Sequence, residues 1–82
     1  NVSIYPNPSN GIINVRFETT SNDNVKIELF DLQGRRVYRS NHSNNQSLFD
    51  EPIATGKLAN GIYVLNVSQG NKSTTKRIIF SK

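Results

Sequence analysis

Hydrophobic and polar residues alternate along most of this chain. Ile13, Val15 and Phe17 are interleaved with Asn14, Arg16 and Glu18. Val25, Ile27 and Leu29 are interleaved with Lys26 and Glu28, and Tyr63, Leu65 and Val67 with Val64, Asn66 and Ser68. Successive side chains of a strand point to opposite faces, so each run predicts a strand with one buried face. No window of useful length carries a helical stripe.

Turn chemistry separates the runs. Pro6-Asn7-Pro8-Ser9-Asn10-Gly11 cannot continue a strand, because two prolines remove donors and fix φ. Ser21-Asn22-Asp23-Asn24 reads as a polar turn. Asp31-Leu32-Gln33-Gly34 has Asp first and Gly fourth, which predicts a type I turn closed by a left-handed glycine. Asn60-Gly61 opens another strand, and Gly70-Asn71 closes a last hairpin.

The predicted strands are Val2 to Tyr5, Ile12 to Glu18, Asn24 to Asp31, Arg35 to Ser40, Ser47 to Asp50, Gly61 to Gln69 and Ser73 to Phe80. A polar loop is expected from Asn41 to Gln46. An irregular connector from Ile53 to Leu58 is expected to drop Leu58 into the core. Seven short strands with frequent turns predict an all-β fold, an immunoglobulin-like antiparallel β-sandwich, without the disulfide and buried tryptophan of antibody domains.

Composition narrows this picture. Eighty-two residues make one domain, and so short a chain buries a modest share of its surface. With no cysteine there is no disulfide staple and no thiolate metal site, so the core rests on aliphatic and aromatic burial. No run of ~20 apolar residues is present to span a membrane as a helix. Beginning at Asn1 without a charged-then-apolar leader, the chain is expected to be a piece of a longer protein. The net charge of +4 comes from scattered basic residues, with small clusters at Arg35, Arg36 and Arg39 and at Lys72, Lys76, Arg77 and Lys82. Nucleic-acid binding asks for a denser basic stripe with stacking aromatics, so solvated strand faces are the expected reading.

Candidate chemistry is sparse. His42 is the only histidine, placed in the most polar stretch, and is expected to be a solvated loop residue. Asp50 and Glu51 are adjacent, so on a strand they face opposite ways and do not form a catalytic carboxylate pair. Asp23 and Asp31 with loop carbonyls are a conceivable calcium site, unsupported by any spaced ligand loop. The five glycines are dispersed beside turns and form no phosphate loop. The expectation is therefore no catalytic residue, no cofactor and no metal.

Three landmarks stand in order along the chain. They are Ile4-Tyr5-Pro6-Asn7-Pro8-Ser9-Asn10-Gly11, Leu29-Phe30-Asp31-Leu32-Gln33-Gly34-Arg35-Arg36-Val37, and Leu58-Ala59-Asn60-Gly61-Ile62-Tyr63-Val64-Leu65, with Lys76-Arg77-Ile78-Ile79 near the end. In order and spacing this resembles the type A C-terminal sorting domain of the type IX secretion system, over the whole of residues 1–82. The resemblance implies an export address, carried at the C-terminus of secreted proteases, glycosidases and adhesins of Gram-negative bacteria. Such cargo reaches the periplasm by its own signal peptide and then crosses the outer membrane. The implied partners are the translocon, the covalently linked upstream cargo, and a sortase-like cysteine protease that removes the domain at the cell surface. The mature cargo is then released or joined to lipopolysaccharide.

Within that reading the final hairpin with its free end is the expected recognition surface, carried by Gly61, Tyr63, Lys76, Arg77 and Lys82. Pro6, Asn7, Pro8, Gly11 and Gly34 are expected to shape turns, and Tyr63 also suits a core ring with its hydroxyl at the rim. The competing reading is an immunoglobulin-like carbohydrate- or protein-binding appendage of an extracellular enzyme. A sugar platform needs two or three exposed aromatics, and most of the aromatics here are needed inside.

Overall fold

A computed structural model describes residues 2–56 and 58–82. Its strands are β1 (Ser3–Tyr5), β2 (Ile12–Glu18), β3 (Val25–Phe30), β4 (Arg36–His42), β5 (Leu48–Ala54), β6 (Gly61–Gln69) and β7 (Lys72–Phe80). All pair antiparallel in two sheets, one in the order β1-β2-β5 and the other β4-β3-β6-β7. This three-on-four division is an immunoglobulin-like sandwich, as the spacing of strands and turns predicts.

The alternation decides which faces meet. Ile13, Val15 and Phe17 of β2 face Val25, Ile27 and Leu29 of β3 and Leu65 and Val67 of β6 across the core. Phe49 and Ile53 of β5 and Ile78 and Phe80 of β7 complete it. The Phe17 and Phe49 rings pack with centroids 5.1 Å apart. Fully burying one such side chain contributes about 1.5–3 kcal/mol, so this shared interior is what holds the two sheets together without a disulfide.

Two predicted hairpin turns are seen in detail. Gly34 has φ +86°, its N–H donates to the Asp31 carbonyl at 3.0 Å, and the Asp31 N–H donates to the Arg35 carbonyl at 3.0 Å. The Asp31 carboxylate accepts from the Gln33 and Arg35 N–H groups at 2.9 and 3.0 Å and from Arg35 Nε at 2.8 Å. At Gly70-Asn71, Gly70 has φ +61° and joins Gln69 to Lys72 as a two-residue hairpin of type II′ pattern.

Two predicted boundaries are corrected. Strand β5 runs to Ala54, past the expected end at Asp50 and through Pro52. Proline is tolerated here because β5 is an outer strand, paired only with β2. Strand β4 runs to His42, into the expected polar loop, because Asn41 and His42 pair with Lys26 and Val25 of β3. Neighbouring backbone thus overrides the weak polar signal of these residues. Leu58 does pack half-buried against the core, while Lys57, in the same connector, lies outside the described residues.

Candidate functional site

The first and last landmarks meet in space. Strand β7 is the outer strand of its sheet, and such an edge offers a row of unpaired backbone groups. The Pro6–Gly11 segment covers one half of that edge. The Ser9 N–H donates to the Ile79 carbonyl and the Ser81 N–H donates to the Ser9 carbonyl, both at 2.8 Å, in a short parallel bridge. Asn7 extends the cover: its Oδ1 accepts from the Ile79 N–H at 2.9 Å and its Nδ2 donates to the Arg77 carbonyl at 3.3 Å.

Local chemistry holds this clasp in shape. Ser9 is 1% exposed; its hydroxyl donates to the Ile12 carbonyl at 2.9 Å and accepts from the Gly11 N–H at 3.2 Å. Gly11 has φ +122°, which L side chains rarely adopt, and its carbonyl accepts from both N–H and hydroxyl of Thr55 at 3.0 and 2.9 Å. Pro6, Asn7, Pro8 and Gly11 all lie in the segment between β1 and β2. The clasp on β7 is the part that sequence reasoning missed. Its partners lie some seventy positions apart along the chain, and no local pattern announces them.

The expected recognition residues separate into distinct places. Gly61 opens β6 opposite Phe80 of β7, at the clasped end. Tyr63 is 7% exposed, its ring packs on Phe80 with centroids 5.1 Å apart, and its hydroxyl donates to the Ala59 carbonyl at 2.7 Å. That burial removes Tyr63 from any external contact and leaves it the job of a core ring. Lys76 and Arg77 are both exposed but occupy adjacent strand positions, so they point to opposite faces. Arg77 stands on the outer face beside Val64, whereas Lys76 shares the side of Ile78 and Phe80. Lys82 follows the strand, its N–H donating to Asn60 Oδ1 at 3.0 Å. Gly34 lies in the Asp31–Arg35 turn at this same end of the sandwich.

Beyond the clasp the edge is open. By strand alternation the N–H and carbonyl of Ser73 and Thr75 point the same way as those of Ile79, and they have no hydrogen-bond partner among the described residues.

The remaining candidates carry little. His42 is not a free loop residue: it ends β4, half-buried, edge-on to Phe49 at 5.7 Å, with Nε2 2.9 Å from Ser40 Oγ. A hydrolytic triad also needs an acid to orient the ring, and none is bonded to His42 among the described residues. Asp23 and Asp31 flank opposite ends of β3, about 25 Å apart at the rise of a strand, so they do not share a calcium ion. Among the described residues no group of three or more His, Asp or Glu side chains is placed to hold a metal. Of the aromatics, Phe17, Phe49, Tyr63 and Phe80 are in the core, and Tyr5, at 41%, is the one most open to solvent.

Fold and site together define an immunoglobulin-like module whose first turn locks down its last strand. The family model described as the secretion system C-terminal sorting domain matches residues 3–81, and the chain belongs to that family. No curated protein matches the chain. The domain is the C-terminal sorting signal for type IX secretion, which implies interaction with that machinery and a cargo upstream. It sends the cargo by way of the periplasm to the surface or the outside of a Gram-negative bacterium.

Proposed function

We propose that the translocon reads the completed final hairpin, and that a sortase-like surface protease then cuts the chain ahead of the sandwich. The domain acts as an address and performs no catalysis of its own. The observation that carries this reading is the half-covered edge of β7: closed from Arg77 to Ser81, open at Ser73 and Thr75. An extended segment of the translocon adds to the open half as a further strand. Backbone hydrogen bonds give affinity in that mode with little demand on side chains, which suits one machine carrying many cargoes. Lys76 and Arg77 flank the contact on its two faces, and Lys82 adds charge at the end. Gly61 and Tyr63 support the contact from within by holding β6 against β7.

The test fuses residues 1–82 to a periplasmic reporter and measures delivery to the cell surface. Thr75→Pro removes an outward N–H from an edge strand, where proline is tolerated. Delivery is expected to fall about tenfold, the equivalent of ~1.4 kcal/mol of lost binding, while the circular dichroism spectrum is retained. The charge reversal Lys76→Glu with Arg77→Glu is expected to act in the same direction. Normal delivery of Thr75→Pro overturns the reading. Mass spectrometry of the delivered reporter locates the cut; the sortase-like step fails if the product keeps the sandwich.

A further inference from the structure

The outer face of the four-stranded sheet carries an apolar strip between arginines. Phe30 of β3 lies beside Val64 of β6, and Ile62 lies directly opposite Ile79 of β7. Phe30 and Val64 are half-buried, and Ile62 and Ile79 are each 39% exposed. Arg77 flanks the strip on one side, beside Val64. Arg36 and Arg39 flank it on the other, beside Phe30 and Glu28.

The carboxylates near this face are already engaged. Glu28 accepts from Arg36 Nη1 at 3.0 Å, and Asp31 accepts from Arg35 Nε at 2.8 Å. Arg39 and Arg77 have no carboxylate partner among the described residues and are exposed. The outer face of the three-stranded sheet is different: there Arg16 lies opposite Asp50, with Glu18 two positions along. The strands of this face thus carry Lys26, Arg36, Arg39 and Arg77 against Glu28 alone. Docking surfaces are set apart by aromatic and arginine enrichment, and the guanidinium fork is weakly hydrated and matched to carboxylates.

We infer that this face docks an extended acidic protein segment, distinct from any strand added to the edge of β7. Its apolar side chains lie on Phe30, Val64, Ile62 and Ile79, and its carboxylates pair with Arg39 and Arg77. Those two arginines lie three strands apart, roughly 15 Å at ordinary strand spacings, which about four to five residues of extended chain span. Arg39 and Arg77 bracket the apolar strip at a fixed spacing that an extended acidic segment matches, whereas an anionic membrane surface demands no such spacing, which favours a protein. Arg77 alone is common to this surface and to the edge reading.

The test titrates the isotope-labelled chain with a capped peptide of alternating valine and glutamate, followed by amide chemical shifts. The expected shifts map to Phe30, Val64, Asn66, Ile79 and Arg77. Affinity is expected to fall about tenfold in Arg39→Glu/Arg77→Glu, and to weaken in ~0.5 M salt as exposed charges are screened. Arg39→Gln/Arg77→Gln serves if the reversal misfolds. Shifts elsewhere, no shifts, or equal binding of a glutamine version overturn the proposal. So do phosphatidylglycerol vesicles that perturb this face more strongly than the peptide. In the reporter assay Arg39→Glu, which leaves the edge residues intact, is expected to lose delivery while Arg16→Glu on the opposite sheet keeps it. Loss there with normal delivery of Thr75→Pro keeps this proposal and removes the edge reading; the reverse pattern removes this one.

Discussion

The two ends of the sandwich are closed by different means. At one end the Pro6–Gly11 clasp spreads its work over many bonds, most of them involving backbone: Ser9 to Ile79 and Ser81, Asn7 to Ile79 and Arg77, Thr55 to Gly11. At the other end one side chain does most of it. Gln69, 8% exposed, donates from Nε2 to the Ser21 and Asp23 carbonyls at 3.1 and 2.9 Å and accepts at Oε1 from the Thr19 hydroxyl at 2.6 Å. Beside it, Phe17, Val67, Gln69 and Thr74 line an open groove of about 500 Å³. The first end is redundant and the second depends on a single amide. A closure made of many backbone bonds tolerates loss of any one, whereas a buried hub leaves several groups unpaired when it goes.

The comparison can be broken by substitution, and urea denaturation is the common measurement. Phe80→Ala is expected to have the largest effect, about 3–5 kcal/mol, because Phe80 is 1% exposed and supports the Tyr63 ring under the clasp. Gln69→Ala comes next at about 1–3 kcal/mol, since three hydrogen bonds in a part-buried site lose their partner. Asn7→Ala is expected to cost only about 0.5–1.5 kcal/mol, the Ser9 bonds surviving it. If Asn7→Ala costs more than Gln69→Ala, the contrast between a redundant and a centralised end is wrong.

Acid provides the smallest effect. Hydrogen bonds from the backbone N–H groups of Arg35 and Gln33 and from the Arg35 side chain hold the Asp31 carboxyl below the usual carboxylate range, against a partial opposing effect of desolvation. A depressed pKa contributes stability that is present above the unfolded-state value near 3.8 and is lost as pH falls through the folded-state value. In Asp31→Asn that part of the acid dependence should disappear, so the wild-type and variant stability curves should converge as the pH falls below that range. Parallel curves throughout would show that the turn carboxylate is not linked to folding.

The core was legible in the residues themselves. Alternation at Ile13, Val15 and Phe17 and at Tyr63, Leu65 and Val67 identifies buried faces because side-chain direction in a strand is fixed by parity. The Asp31–Gly34 turn was legible because only a few residue types suit its backbone. Strand ends were less so: Pro52 and His42 look like breakers in isolation and are strand because of the neighbours they pair with. The surfaces were least legible. Whether Lys76 and Arg77 act together depends on parity at an edge, and whether Arg39 lies near Arg77 depends on which strands become neighbours. Asn7 reads as a turn residue, and its second role on β7 exists only once both termini are in place.

The clasp also has a bearing on timing. Within the domain a ribosome makes the Pro6–Gly11 segment before β7, some seventy positions ahead of it, yet each needs the other to finish the sandwich. A nascent polypeptide that stops short of these final residues has Ile79 missing from beneath Asn7 and Ser9, and Phe80 missing from the interior. A passport whose first turn is stamped by its last strand is expected to be valid only once that strand has been made, so cargo terminated before β7 should be refused at the border by its own unfinished fold.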